Sequence, residues 1–145
     1  MPDHSDVIAE ARSWIGTPYH HQACTKGHGV DCARLVEGVG VALGLMPALT
    51  RDLIRYSRLP NPTQMQRVME MHLERIEADA VRYGDIFWMC WRPGIPQHLG
   101  FYSDHHGAGM IHAYGQAGLV VETAMNEHTK SQVHGWWRYR GLTSG

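Results

Sequence analysis

The sequence predicts an α+β domain, with N-terminal helices packed on a mainly antiparallel sheet of five to six strands. Three observations lead there. Apolar residues recur at helical spacing in the first half. Short runs rich in aromatic and β-branched residues follow in the second half. Gly, Pro, Asn or Asp separates most of those runs. At 145 residues the chain suits one domain, spanning 1–145. A domain of that size buries roughly 70% of its unfolded surface and needs no covalent staples. A 43% hydrophobic and 19% charged composition is that of a globular chain and excludes disorder.

Each element has its own signal. Val7, Ile8, Ala11, Trp14 and Ile15 share a helical face, with Ser5 as the expected N-cap and Gly16-Thr17-Pro18 as the stop. A polar, Gly- and His-rich loop then runs from 20 to 30. Asp31 reads as the N-cap of a second helix whose face is Ala33, Leu35, Val36, Val39 and Leu43, and Gly44 sits where a left-handed residue closes it. Asn61-Pro62, a cap and an N1 proline, opens a third helix carrying Met65, Val68, Met69, Leu73 and Ile76 inward. Met71 points outward, and the stretch 47–60 has no clear period. After Gly84 the expected strands are 85–91, 99–103, 110–114, 119–122 and 136–139. There is no internal repeat and no low-complexity tract.

Charge and cysteine usage narrow the function. The net charge is −1, so there is no basic surplus to drive nucleic-acid binding by counterion release. The 11 histidines would move that charge to +10 if all were protonated, which makes the surface pH-sensitive. With 3 cysteines and no CxxC pair, the expectation is reduced thiols, as in the cytoplasm, without a disulfide framework. The opening residues, 1–6, have neither a basic region nor an apolar run, so no signal peptide is expected. No window is apolar enough for a membrane span.

Cys32 is the most informative position. Behind an Asp31 cap it occupies N1, where free N–H groups and the helix dipole favour a thiolate, the nucleophilic form. A lone cysteine is more often a small buried hydrophobe, so the assignment needs partners. A thiolate nucleophile needs a base, and the base needs an orienting group. His98 stands at the mouth of one predicted strand and His112 inside the next. In an antiparallel hairpin these two can be neighbours on one face. Both sit in apolar strands, where an imidazole needs a reason to be present.

Five segments occur in a telling order. They are Gly16-Thr17-Pro18-Tyr19, Gly29-Val30-Asp31-Cys32, Tyr83-Gly84-Asp85-Ile86-Phe87, Gln97-His98-Leu99-Gly100-Phe101-Tyr102 and Ile111-His112-Ala113. In order and approximate spacing the chain resembles the NlpC-type cysteine peptidases, papain-like bacterial cell-wall endopeptidases, from about Ala9 to Gly141. The run Gly16 to Gln22, with Lys26-Gly27 and Val30-Asp31-Cys32, is similar to the short phage-tail branch.

The resemblance implies a papain-like fold and a set of roles. Cys32 is the nucleophile. His98 is the base and then the acid for the leaving amine, and His112 orients His98. Tyr19 places its hydroxyl near the thiolate and oxyanion, and the Cys32 N–H adds an oxyanion donor. The implied substrates are peptidoglycan stem peptides, cut between D-glutamate and a diamino acid, with no cofactor. Phage tail proteins are the implied partners, and a tail is the implied carrier from the cytoplasm to the cell wall. The family's Asp-Cys-Ser-Gly reads Asp31-Cys32-Ala33-Arg34 here, so Arg34 either closes part of the groove or meets a substrate carboxylate.

His20, His21, Cys24 and His28, with His105-His106, invite a zinc site, but ligand pairs at zinc spacing are missing, and a solvated loop is the expectation. Cys24 and Cys90 read as structural thiols, Cys90 within a strand. Trp88, Trp91, Trp136 and Trp137 fit sheet core better than a sugar-binding groove. The other functions kept open are an amidase or acyltransferase on the same Cys-His-His site, and a structural tail-tip subunit with an inactive site.

Overall fold

The structure is a computed structural model and describes residues 1–49, 61–91 and 94–143. The aperiodic stretch 47–60 lies outside the described residues from 50 onward.

Helix α1 (His4–Arg12) starts one residue behind Asp3, not at Ser5. Asp3 and Asp6 form a reciprocal capping box: Asp3 Oδ1 accepts from the Asp6 N–H and Asp6 Oδ2 from the Asp3 N–H. Ser5 instead donates its hydroxyl to Asp3 Oδ1 at 2.6 Å. A charged acceptor with a reciprocal partner three residues on outcompetes a lone serine hydroxyl. The loop expected at 20–30 contains a small hairpin, β1 (Cys24–Thr25) and β2 (Gly29–Val30).

Helix α2 (Cys32–Ala42) begins where expected. Asp31 is in extended conformation and its Oδ1 accepts from the Arg34 N–H at 2.9 Å. Gly44 takes the left-handed φ of 70° that ends the helical segment.

Helix α3 (Pro62–His72) is capped by Asn61 and opened by Pro62, and Met65 and Met69 face inward while Met71 is 62% exposed. It does not continue to Ile76. Leu73 turns extended (φ −122°, ψ 163°), and β3 (Leu73–Ile76) pairs antiparallel with the last strand, Leu73 opposite Tyr139. Leu73 and Ile76 continue a helical spacing from Met69, so local pattern misleads there. Pairing with a strand some sixty residues later decides the conformation.

The remaining strands are β4 (Ile86–Met89), β5 (His98–Ser103), β6 (Gly109–Tyr114), β7 (Leu119–Ala124) and β8 (Val133–Tyr139), with a short helix α4 (Glu127–Ser131) before β8. The six-stranded sheet has the order β3-β8-β4-β5-β6-β7 and every pairing is antiparallel. Cys90 falls just beyond β4 and is half-buried, so it is not a strand residue.

Strand alternation divides the core. Ile86, Trp88, Leu99, Phe101, Ile111 and Ala113 join the helices' apolar faces in the main core. Phe87, Met89, Met110, Met125 and Trp136 form a smaller cluster on the other face. Each fully buried large apolar side chain contributes about 1.5–3 kcal/mol relative to exposure. One buried polar network ties the sheet to α1. Asp85 is fully buried, accepts from Arg138 Nε at 2.8 Å and from the Arg82 N–H at 2.8 Å, and lies 2.9 Å from His4 Nε2. Beside it, Gly84 has a φ of 101° and passes so near the His4 carbonyl that an added Cβ would lie 2.7 Å from that oxygen. Gly84 thus lets the α1 start dock on β4.

Candidate active site

The N-terminus of α2 abuts the start of β5, and there the structure gathers Cys32, His98 and His112. The Cys32 sulfur lies 3.8 Å from the Gln97 carbonyl oxygen, and the Leu99 N–H also bears on it. Gln97 and Leu99 flank His98, so the Cys32 thiol is held against the backbone on either side of that histidine. The Asp31 carboxylate fixes the other side. Besides capping α2, its Oδ2 accepts from the Gln22 N–H at 2.6 Å and lies 3.8 Å from His21 Nδ1, which ties the 20–23 turn to the start of the helix.

His98 Nε2 and His112 Nδ1 are 2.8 Å apart, and both rings are buried. The two strands pair Phe101 with Ile111, so Gly100 faces His112, and the imidazoles meet on the diagonal of one face. Gly100 makes room for the Phe87 ring that lies beside both imidazoles. A Cβ there would sit 2.5 Å from Phe87 Cζ and 2.8 Å from the Ile111 carbonyl oxygen. His112 Nε2 reaches Thr123 Oγ1 on β7 at 3.0 Å. His98 Nε2 is engaged by His112, and Nδ1 is the nitrogen of that ring left outside this link.

Aromatic rings enclose the pair. Trp91 lies 4.8 Å from His98 and stacks on Tyr114 at 5.6 Å, Tyr114 stacks on His112 at 5.2 Å, and Phe87 lies 5.8 Å from His98. Among the described residues, no carboxylate is hydrogen-bonded to either imidazole.

Burial dominates the electrostatics. It pushes the Cys32 thiol up to about 12, and the Asp31 charge adds to the rise; the N–H groups of Leu99, Ala33 and Cys32 pull the other way without winning. The helix N-terminus was expected to lower this thiol, and that expectation is corrected. The dipole is present, but desolvation of the sulfur outweighs it. Burial also holds His98 well below 6.5, with His112 adding to the shift, and takes His112 down to about 4. The resting pair is therefore a neutral thiol beside a neutral imidazole.

Tyr19 is held in the same region by backbone contacts. It bridges Val30 and donates its N–H to the Gly118 carbonyl at 2.8 Å, and its ring tip lies 3.9 Å from where a Gly115 Cβ would stand. Arg34 is engaged within α2, donating NH1 to Glu37 Oε1 at 2.5 Å. Sequence reasoning missed Thr123 and the covering role of Trp91 and Tyr114. Thr123 has no local signal, because only the β6–β7 register brings it to His112. The other tryptophans follow the core expectation: Trp88, Trp136 and Trp137 are 1%, 7% and 2% exposed, against 36% for Trp91. Among the described residues, no three His, Cys, Asp or Glu side chains are grouped to hold a metal ion. Cys24, half-buried, donates to the Arg34 carbonyl.

This architecture is the papain-like α+β fold of the NlpC/P60 proteins. An NlpC/P60 family protein from Bacillus cereus superposes with a TM-score of 0.68 at 18% identity, over 95% of this chain and 40% of that one. The peptidoglycan hydrolase RipB from Mycobacterium tuberculosis gives 0.62 at 19% identity, over 93% and 63%. An N-acetylmuramoyl-L-alanine amidase from Bacteroides uniformis gives 0.61 at 16% identity, over 94% and 98%. In sequence, the chain is 28% identical over 141 residues to a gamma-DL-glutamyl hydrolase of Bacillus subtilis, covering 94% of the chain but only 30% of that protein. No protein-family model matches the chain.

Proposed function

We propose that the chain is a cysteine peptidase that hydrolyses peptidoglycan stem peptides at the bond between a D-glutamyl residue and a diamino acid. The observation that carries this reading is a cysteine at a helix N-terminus, set against the backbone on either side of a histidine that a second histidine orients. The likeness to a gamma-DL-glutamyl hydrolase supports a glutamyl acyl donor, and the likeness to a peptidoglycan hydrolase supports the polymer.

The chemistry runs from a neutral resting pair. The Cys32 S–H proton passes to His98 Nδ1 as the sulfur attacks the carbonyl carbon. The oxyanion faces the Cys32 N–H, which has no helical acceptor at the first turn of α2, and Tyr19 supplies a second donor. His98 Nδ1–H then protonates the leaving amine, which departs and leaves a thioester on Cys32. Water, deprotonated by His98, cleaves the thioester and restores the thiol.

Defined muropeptides incubated with wild type and with Cys32→Ala test the reading by product mass. Products ending in D-glutamate, absent with Cys32→Ala, are expected, and equal turnover by the variant would sink it. A second reading, cleavage of the muramoyl–L-alanine link, draws on the likeness to an amidase and would release stem peptides with a free L-alanine terminus. Association with a phage tail rests on the resemblance of 16–32, and detecting the chain in purified virions by mass spectrometry would test it.

A further inference from the structure

We propose that the space over Gly135 is a substrate subsite that takes the terminal carboxylate of a stem peptide; the proposal rests on the peptidase reading above. Two hydrogen-bond donors converge on that space. A Cβ on Gly135 would lie 3.3 Å from Trp137 Nε1 and 3.4 Å from Arg75 Nη2, the nearest atoms outside the glycine and its chain neighbours. With no side chain at 135 the point stays open, and an acceptor atom beside it comes within hydrogen-bonding reach of both nitrogens.

Both donors lack an acceptor. Trp137 is 2% exposed, and its Nε1–H has no partner among the described residues. An indole nitrogen can only donate, and a buried donor without a partner is uncommon in a folded protein. Arg75 stands opposite Trp137 in the β3–β8 register, with its guanidinium carbon 5.9 Å from the centre of the Trp137 ring. Among the described residues no carboxylate forms an ion pair with it. Its neighbour Glu74 belongs to the other face of β3, where it stands opposite Arg138. A cationic fork and a neutral N–H with no acceptor between them match a carboxylate, which can accept from the indole and meet the guanidinium charge together.

The position suits a substrate. β3 and β4 end, and β5 and β8 begin, at one end of the sheet, the end where His98 stands. Gly135 pairs with Trp88, and Trp88 with Leu99, whose N–H bears on the Cys32 sulfur. Two strand spacings put Gly135 about 10 Å from Leu99, a span that an extended peptide covers in about three residues. A stem pentapeptide cut before its diamino acid carries its terminal carboxylate three residues beyond the bond. The subsite thus selects stems with a free carboxyl end.

The test follows the Trp137 indole N–H by NMR in Cys32→Ala, which binds without turnover. The probes are a stem pentapeptide, the same peptide as its C-terminal amide, and acetate. The free-acid peptide is expected to move the signal saturably, and the amide to leave it in place. Arg75→Gln, a change at an exposed residue, should weaken that binding on the order of 10-fold, the usual effect of losing a charged hydrogen bond. Gly135→Ala, which puts a methyl group at the point itself, should abolish the shift. No shift with the free-acid peptide, equal shifts with acid and amide, or an unchanged affinity in Arg75→Gln would overturn the proposal. A shift with acetate but not with the free-acid peptide would also overturn it, as an adventitious ion only. The Arg75→Gln arm decides even if Gly135→Ala fails to fold. If the shifts behave as expected but wild type does not cut before the diamino acid, the bond assignment fails and the carboxylate subsite stands.

Discussion

Asp31 does two opposed things at once. Its Oδ1 accepts from the Arg34 N–H and starts α2, while its charge helps push the Cys32 thiol up. Asp31→Asn removes the charge while its one amide oxygen still caps α2, at the cost of the Gln22 N–H bond, which the amide nitrogen cannot accept. Alkylation of Cys32 by iodoacetamide should then move its pH midpoint downward from the wild-type value, with the helix intact by circular dichroism. An unchanged or higher midpoint would remove Asp31 from the electrostatics of the sulfur. Trp91 and Tyr114 make a second prediction. They roof the two imidazoles, and among the described residues no carboxylate is hydrogen-bonded to either ring, so under the proposed mechanism these ring faces are what meets an imidazolium. Trp91→Leu should lower kcat about 10-fold, and Trp91→Phe should recover much of it, since a ring face over the cation is worth roughly 0.5–2 kcal/mol. Equal rates for the two variants would make Trp91 a mere cover. Cys32, His98 and His112 were legible in the sequence because each sits in a setting that needs explaining: a helix N-terminus and two apolar strands. Thr123, Trp91 and Tyr114 were not, since their roles depend on strand register and ring orientation.

Legibility among the elements follows where the folding information lies. The starts of α2 and α3 were readable from Asp31 and from Asn61-Pro62, because caps act within three residues. The start of α1 was not, since Ser5 satisfies the same local rule and only the Asp3–Asp6 reciprocity decides. The change from α3 to β3 at Leu73 was invisible, because Tyr139 is its cause. The network around Asp85 is likewise non-local and joins α1, β4 and β8 through His4 and Arg138. Asp85→Ala strands a partly buried guanidinium and unties three elements. Urea unfolding should show a loss of about 3–5 kcal/mol, the usual consequence of removing one partner from a buried pair. A loss below about 1 kcal/mol would mean that the network is peripheral to the fold.

At the scale of the whole molecule, burying the site shapes stability against pH. His112 titrates near 6.5 when unfolded and near 4 when folded. Between those values the unfolded chain binds a proton that the native chain refuses, so stability falls as pH falls, by about 3 kcal/mol in full. His98, shifted in the same direction, steepens that limb. Cys32 acts at the other end: its thiol titrates near 9.0 unfolded and about 12 folded, so stability falls as pH rises through that window. Thermal melts should therefore show a plateau between about pH 6.5 and 9, and His112→Asn should flatten the acid side. A midpoint that climbs toward pH 5 would contradict burial of neutral imidazoles. The central claim, a thioester on Cys32, is tested most directly by acid-quenching wild type during turnover of a stem peptide and weighing the intact protein and its fragments. The account predicts a mass gain equal to the acyl half of the peptide, confined to the fragment that holds Cys32 and missing in Cys32→Ala. Turnover with no such adduct, and undiminished in Cys32→Ala, would contradict it.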